Sequence, residues 1–262
     1  MSVRPFEVVC EIEPPTRPDL KHVRHQIGVL SPVADAYLIP DNHIGRATVS
    51  SIAVAHEVGA MGGRSIACLN SRDRNLLGFR RDLLTAAAYG VSEFLFVYGD
   101  KPGSGGRTSD LTVRSMIEEA RGCAQDGVFA GSPPWRVGVA AALRPLPAWK
   151  LAADFVFTQV SYSVEEQLRW RDANPVDVPV YAGVMVLASA GMAKRLAASI
   201  PDIEIPGSLV ERVAADPVAG VGAACEQIAR LRDSDAFDGV HLVPVQRYRE
   251  IAARLEAPPS RA

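Results

Sequence analysis

Short apolar runs alternate with segments of helical spacing along the whole chain. The runs EVVCEIE (7–13), ADAYLIP (34–40), RSIACLN (64–70) and EFLFVYG (93–99) read as strands. So do WRVGVAAAL (135–143), DFVFTQVSY (154–162), VPVYAGVMVL (178–187) and GVHLVPV (239–245). Residues 93–99 are almost continuously apolar, the pattern of a strand buried on both faces. Helical spacing occupies 19–30, 48–60, 75–90 and 110–125, and then the VEEQLRWRD segment after Ser163. It returns over 190–199, 207–215 and 218–232 and in the closing RYREIAARLE segment. Asp110 and Ser163 are predicted N-caps. After the fifth run, RPLPAWK carries two prolines and is too short for a full helix.

Strands that alternate with helices imply a parallel sheet. Eight such units in 262 residues predict an α/β fold of the (β/α)8 TIM-barrel type. An open Rossmann-like sheet is disfavoured, because no GxGxxG follows the first run. GSGG at 103–106 follows the fourth run and has the wrong spacing. No change in composition marks a linker, so residues 1–256 are read as one barrel domain and 257–262 as a fraying tail.

Composition narrows the function classes. The net charge of −2 offers no basic excess for a phosphate backbone, which argues against nucleic acid as a partner. No signal peptide or membrane span is read, so no membrane partner is expected. Cys10, Cys68, Cys123 and Cys225 are far apart and form no CxxC pair, which suits a reduced, cytoplasmic protein. Apolar residues on the outer helices leave open a homo-oligomer.

In a barrel of this type the chemistry sits at the C-terminal ends of the strands. That rule selects Glu11, Glu13, Asp41, Asn42, Asn70, Asp100, Gln159 and Gln246. Glu7, Val9, Glu11 and Glu13 share one strand face, expected to meet the lumen, while Val8, Cys10 and Ile12 meet the helices. A carboxyl near the mouth that stays protonated is suited to general-acid work, whereas one that reaches solvent simply pairs with a cation. Asp100 follows Gly99 and reads either as an acceptor for an amino-pyrimidine or as a cap. Gln159 reads as a buried amide that needs a partner, from a ligand or from the next strand. His43 is the one histidine judged well placed for chemistry. Zinc motifs, a GxSxG elbow and a Walker A loop are absent from the sequence, so no metal is expected. A hydrolase built on Glu11 and Glu13 is disfavoured, since neighbours on one strand cannot flank a scissile bond.

Six segments in register resemble the methylenetetrahydrofolate reductase family. CEIEPP (10–15) is similar to its FEFFPP element, and PDNHIGRATVSS (40–51) to a TDN…R-M-S stretch. Residues 68–102 resemble HLTCRDRN…DLLGA…G…L-GD-P, and FTQVSYSVEEQLRW (157–170) an ITQ-x-x-F-D segment. VPVYAGVMVL (178–187) and GVHLVPVQR (239–247) resemble the two final strands. The resemblance implies a (β/α)8 barrel that reduces 5,10-methylenetetrahydrofolate to 5-methyltetrahydrofolate with NADH or NADPH. It implies Glu11 as the general acid and Asp100, Gln159, Asn42 and Gln246 as contacts to the tetrahydrofolate substrate. It places Asn70, Ser71, Arg72, Tyr98 and Lys150 where the family binds its cofactor.

The departures from the family fall mainly on the FAD contacts. The histidine, threonine and cysteine of HLTC are Cys68, Asn70 and Ser71, and the arginine of LRGD is Tyr98. The helix after the fifth strand shrinks to PLPAWKLA, within which Lys150 aligns with a flavin-phosphate lysine only across a gap. FAD is therefore expected to be absent, with the nicotinamide in its place and Tyr98 against a ring face. Arg72, Arg74 and Lys101 are the local cations expected to receive two anionic ligands. Two alternatives stand beside this: an ordinary FAD-dependent reductase, and a non-catalytic folate-binding barrel or partner-dependent subunit.

Overall fold

In the computed structural model, which describes residues 5–42, 45–100, 105–199 and 203–257, the predicted alternation becomes a closed barrel. Its strands are β1 (Glu7–Glu11), β2 (Ala36–Ile39), β3 (Ser65–Asn70), β4 (Glu93–Val97), β5 (Arg136–Ala141), β6 (Phe155–Val160), β7 (Val180–Met185) and β8 (Gly239–Val243). Neighbours pair in parallel in chain order, and β8 returns to β1 with His241 opposite Val9.

The helices are α1 (Lys21–Leu30), α2 (Ser51–Ala60), α3 (Leu76–Ala88), α4 (Val113–Cys123) and α5 (Val164–Ala173). They continue with α6 (Ala190–Ser199), α7 (Gly207–Ala215), α8 (Ala219–Asp233) and α9 (Tyr248–Glu256). Among the described residues, no helix is long and apolar enough to cross a membrane. Between β5 and β6 there is only a short 3-10 turn, Ala148–Ala152, as the prolines at 145 and 147 require. Ser163 caps α5 by accepting from the Glu166 N–H at 3.2 Å, as predicted. The cap predicted at Asp110 falls instead on Thr112. Thr112 exchanges hydrogen bonds with Ser115 in a reciprocal box, while Asp110 accepts from the Leu76 N–H at the start of α3.

The strand period of two divides the apolar residues into two layers. Val8, Cys10, Tyr37, Ile39, Leu69, Phe94 and Phe96 join the core between strands and helices. Val9, Ala36, Leu38, Ile66, Cys68, Leu95, Phe155, Phe157 and Tyr181 fill the barrel interior. Space there is tight: a Cβ built on Gly138 would lie 2.0 Å from the Phe155 ring, so β5 omits a side chain where β6 supplies a large one.

Ion pairs close the N-terminal end of the barrel. Arg64 binds Glu7 at 2.7 Å and Glu93 at 3.3 Å, and Arg136 binds Glu93 at 3.0 Å. The Tyr181 hydroxyl donates to Glu7 at 2.6 Å. Surface recesses of about 500 and 410 Å³ lie beside these residues, at the strand starts. They lie at the end where barrels of this type keep structural rather than catalytic residues.

Candidate active site at the C-terminal mouth

β1 ends at Glu11, so the acidic face is shorter than the sequence reading supposed. Val9 and Glu11 do face inward, whereas Glu13 lies past the strand and is exposed. Glu11 is not alone at the mouth. Its Oε2 is 3.2 Å from Nε2 of His241 on β8, and both side chains are largely buried, 17% and 12% exposed. The imidazole in turn stacks on Phe157 of β6, with centroids 5.4 Å apart and planes at 28°. Three strands thus converge on one carboxyl group. His43, the histidine chosen from sequence, lies outside the described residues. The missed signal was parity: in GVHLVPV, His241 follows Gly239 by two positions and shares its lumen-facing side.

A second polar cluster joins the ends of β2, β3 and β4. Asp41, only 5% exposed at its side chain, accepts from the Asn70 backbone at 2.9 Å and the Asn70 amide at 2.7 Å. It also accepts from Arg74, which binds Asp82 of α3 at 2.8 Å. Asn70 is fully buried, and its side-chain amide also donates to Asp73 at 3.1 Å while its Oδ1 accepts from the Asp73 N–H at 2.9 Å. Asn42, in a left-handed conformation with φ 49°, donates to Asp73 at 3.0 Å. Arg72, 3% exposed, also binds Asp73, at 2.9 and 3.1 Å. Gly99 allows this crowding, since a Cβ there would meet the Asn70 Cβ at 2.9 Å and its φ is +95°.

Charges in this cluster are set by their neighbours. Burial disfavours the charged Asp73 carboxylate, but hydrogen bonds from Arg72, Asn42 and Asn70 outweigh it and hold the carboxyl below its usual range. Burial likewise works against the Arg74 guanidinium, and Asp41 and Asp82 outweigh it, so the cation is retained. Burial pushes the Cys68 thiol well up, so it stays protonated and unreactive.

The remaining candidates are distributed round the rim. Asp100 is exposed beyond β4, and Gln246 is exposed in the turn after β8. Gln159 is not the buried amide expected. The β6–β7 register shifts between Phe157 and Val160, and Gln159 sits exposed on that bulge, its Oε1 accepting from the Val160 N–H at 2.9 Å. Buried glutamines from two helices satisfy backbone carbonyls beside the bulge. Gln167 donates to Gly183 at 2.7 Å, and Gln227 donates to Ser161 at 2.8 Å and to Gln167 at 3.0 Å. Tyr98 is 55% exposed, and its hydroxyl accepts from Arg107 at 2.8 Å. Lys150 donates to the Ala140 carbonyl at 2.5 Å, and burial lowers its ammonium below the usual lysine range. Ser71 is fully buried and its hydroxyl has no hydrogen-bond partner. Lys101 lies outside the described residues.

Fold and site together define a (β/α)8 barrel with a buried carboxyl–imidazole pair at its C-terminal mouth. The sequence profile of methylenetetrahydrofolate reductase matches residues 39–257, and the chain belongs to that family. No individually curated protein matches it. Among solved structures, it is similar to an uncharacterized protein from Clostridium thermocellum that binds two copies of 5-methyl-5,6,7,8-tetrahydrofolic acid. That match has a TM-score of 0.67 and 13% identity over 97% of this chain and 94% of the other. It also resembles a variant tryptophan synthase α-subunit from Pyrococcus furiosus (TM-score 0.56, 13% identity, 97% and 98% covered). DmoA from Hyphomicrobium sulfonivorans is a further match (TM-score 0.54, 11% identity, 95% and 86% covered). At these identities the structural matches establish the fold.

Proposed function

We propose that this protein reduces 5,10-methylenetetrahydrofolate to 5-methyltetrahydrofolate in the cytoplasm, taking hydride directly from NADH or NADPH. The observation that carries this reading is Glu11, an inward-facing, largely buried carboxyl at the strand end where such barrels do their chemistry, in a chain of this family. The folate bound by the Clostridium thermocellum protein is in keeping with a folate substrate.

In this reaction Glu11, in its protonated form, gives its proton to N10 of the substrate. The C–N10 bond breaks and the five-membered ring opens, leaving an iminium at N5. The methylene carbon accepts hydride from the reduced nicotinamide and becomes the methyl group, and the nucleotide leaves oxidised. Water reprotonates the Glu11 carboxylate. General-acid catalysis of this kind contributes about 10²- to 10⁴-fold. Asp100, Gln159 and Gln246, exposed at the rim, are the proposed substrate contacts, and Asn42 contributes through its contact with Asp73.

What supports direct hydride transfer is the state of the residues aligned with the family's FAD contacts. Asn70 is held by Asp41 and Asp73, Arg72 by Asp73, Lys150 by a backbone carbonyl, and Tyr98 by Arg107. A flavin and its diphosphate need several placed donors; the Asn70 amide, the Lys150 ammonium and Nε and Nη2 of Arg72 are engaged within the protein, while Arg72 Nη1 and the Ser71 hydroxyl are buried without a partner. The nicotinamide is therefore the group we place against the substrate, with no flavin between them.

The test is turnover of purified protein with methylenetetrahydrofolate and each nucleotide, without added flavin, beside its absorption spectrum. Formation of 5-methyltetrahydrofolate by protein free of flavin bands is expected. Stoichiometric bound flavin, or activity that requires FAD, overturns the direct transfer, and no turnover under any of these conditions overturns the reductase.

A further inference from the structure

We propose that His241 is the positioning residue for Glu11: it holds one carboxyl oxygen by a hydrogen bond that strengthens as the acid gives up its proton. The inference rests on the reductase reading above.

The geometry assigns distinct jobs to the two oxygens. Oε2 meets Nε2 of His241 at 3.2 Å. Oε1 makes no hydrogen bond to a described residue, and so it is the oxygen left to carry the proton to the substrate. Nε2–H can donate to Oε2 before and after that transfer, so the imidazole needs no change of tautomer. Before transfer the acceptor is a neutral carboxyl, and afterwards it is a carboxylate. Hydrogen bonds to charged acceptors are roughly twice as strong as neutral ones. The contact therefore stabilises the state that follows proton release more than the state that precedes it, which is how a fixed hydrogen bond accelerates a step.

The imidazole is itself held. Phe157 stacks on its face, and the parallel pairing of β1 with β8 sets the height of His241 beside Val9, two residues before Glu11. With the side chain 12% exposed, little water competes for Nε2. Neither the ring nor its backbone reaches the acid through a loop, so the pair is carried on two adjacent strands of the closed sheet.

The experiment uses His241→Phe, which keeps a flat ring against Phe157 and removes the donor, and His241→Gln, which keeps a donor. Each is measured alone and with Glu11→Gln, for kcat and KM with methylenetetrahydrofolate and NADH or NADPH, whichever the wild type uses. His241→Phe is expected to lower kcat about 10- to 100-fold, the worth of one charge-assisted hydrogen bond, with KM little changed. His241→Gln recovers most of that loss. In the Glu11→Gln background His241→Phe has little further effect, because its influence passes through the acid. Wild-type rates in His241→Phe, a loss confined to KM, or losses that multiply with Glu11→Gln overturn the proposal while leaving the reductase intact. If His241→Phe fails to fold, His241→Leu, which also lacks a donor, decides by the same double-variant comparison: wild-type rates, or a loss that multiplies with Glu11→Gln, overturn it. A wild type without turnover overturns the reductase reading, and this role with it.

Discussion

His241 Nε2 lies 3.2 Å from Glu11 Oε2 although the two residues are 230 positions apart in the chain. The last strand of the barrel delivers the imidazole to the acid on the first. Replacement of that acid by Glu11→Gln keeps the shape and a polar group but removes the transferable proton. We expect kcat to fall about 10²- to 10⁴-fold, the range for loss of a general acid, with folate affinity retained. Steady-state turnover beside equilibrium folate binding checks this, and a variant with wild-type kcat removes Glu11 from the mechanism.

Asp41 anchors the second cluster. It is the shared acceptor for Asn70 and Arg74, so Asp41→Ala leaves the buried guanidinium to Asp82 and the buried amide to Asp73, and leaves the Asn70 backbone N–H without its acceptor. Removal of one partner from a buried pair costs ~3–5 kcal/mol. Denaturant unfolding is expected to show a loss of that order. A loss below ~1 kcal/mol, the value of an exposed pair, contradicts the tie between β2, β3 and α3.

The barrel interior makes a stability prediction that is independent of function. Gly138→Ala places a methyl group 2.0 Å from the Phe155 ring, which must shift within a filled core. Overpacking of this type costs ~1–3 kcal/mol. A lowered denaturant midpoint at unchanged slope is the expected reading, and Phe155→Leu in the same chain should relieve part of it.

Asp73 gives the acid response of the mouth a sign. Its carboxyl is held below the usual range in the folded protein, so the folded pKa is lower than the unfolded value near about 4. The stabilisation is fully present above the unfolded pKa and is lost as pH falls through the folded one. Asp73→Asn is therefore expected to be less stable than wild type at neutral pH, with the difference shrinking below about pH 4. Stability curves taken across that range check it, and a difference that grows on acidification contradicts it.

The barrel itself was legible because strand and helix periods survive tertiary packing. All eight strand runs appear within a few residues of the predicted bounds, and the shortened stretch after β5 forms only the turn its prolines permit. The site was legible in part. Glu11 was found from strand parity and the rule of strand ends. His241 was missed because its strand pairs with β1 only when the barrel closes, a contact no local window contains. Gln159 was misjudged because a bulge depends on the neighbouring strand's register, which sequence alternation does not record. Likewise, the donors aligned with the flavin site look free in sequence. The Asp41 carboxylate that holds Asn70 and the Ala140 carbonyl that holds Lys150 come from other strands and become visible only in three dimensions, whereas Asp73, which holds Arg72, is its neighbour in sequence.

Direct hydride transfer can be tested by isotope. NADH or NADPH carrying deuterium at the transferred position of C4 is turned over with methylenetetrahydrofolate, and the product is read by mass spectrometry. Transfer straight to the substrate predicts deuterium retained in the methyl group of 5-methyltetrahydrofolate, made by protein without flavin. Deuterium lost to water, as passage through an exchangeable flavin N–H would cause, contradicts it.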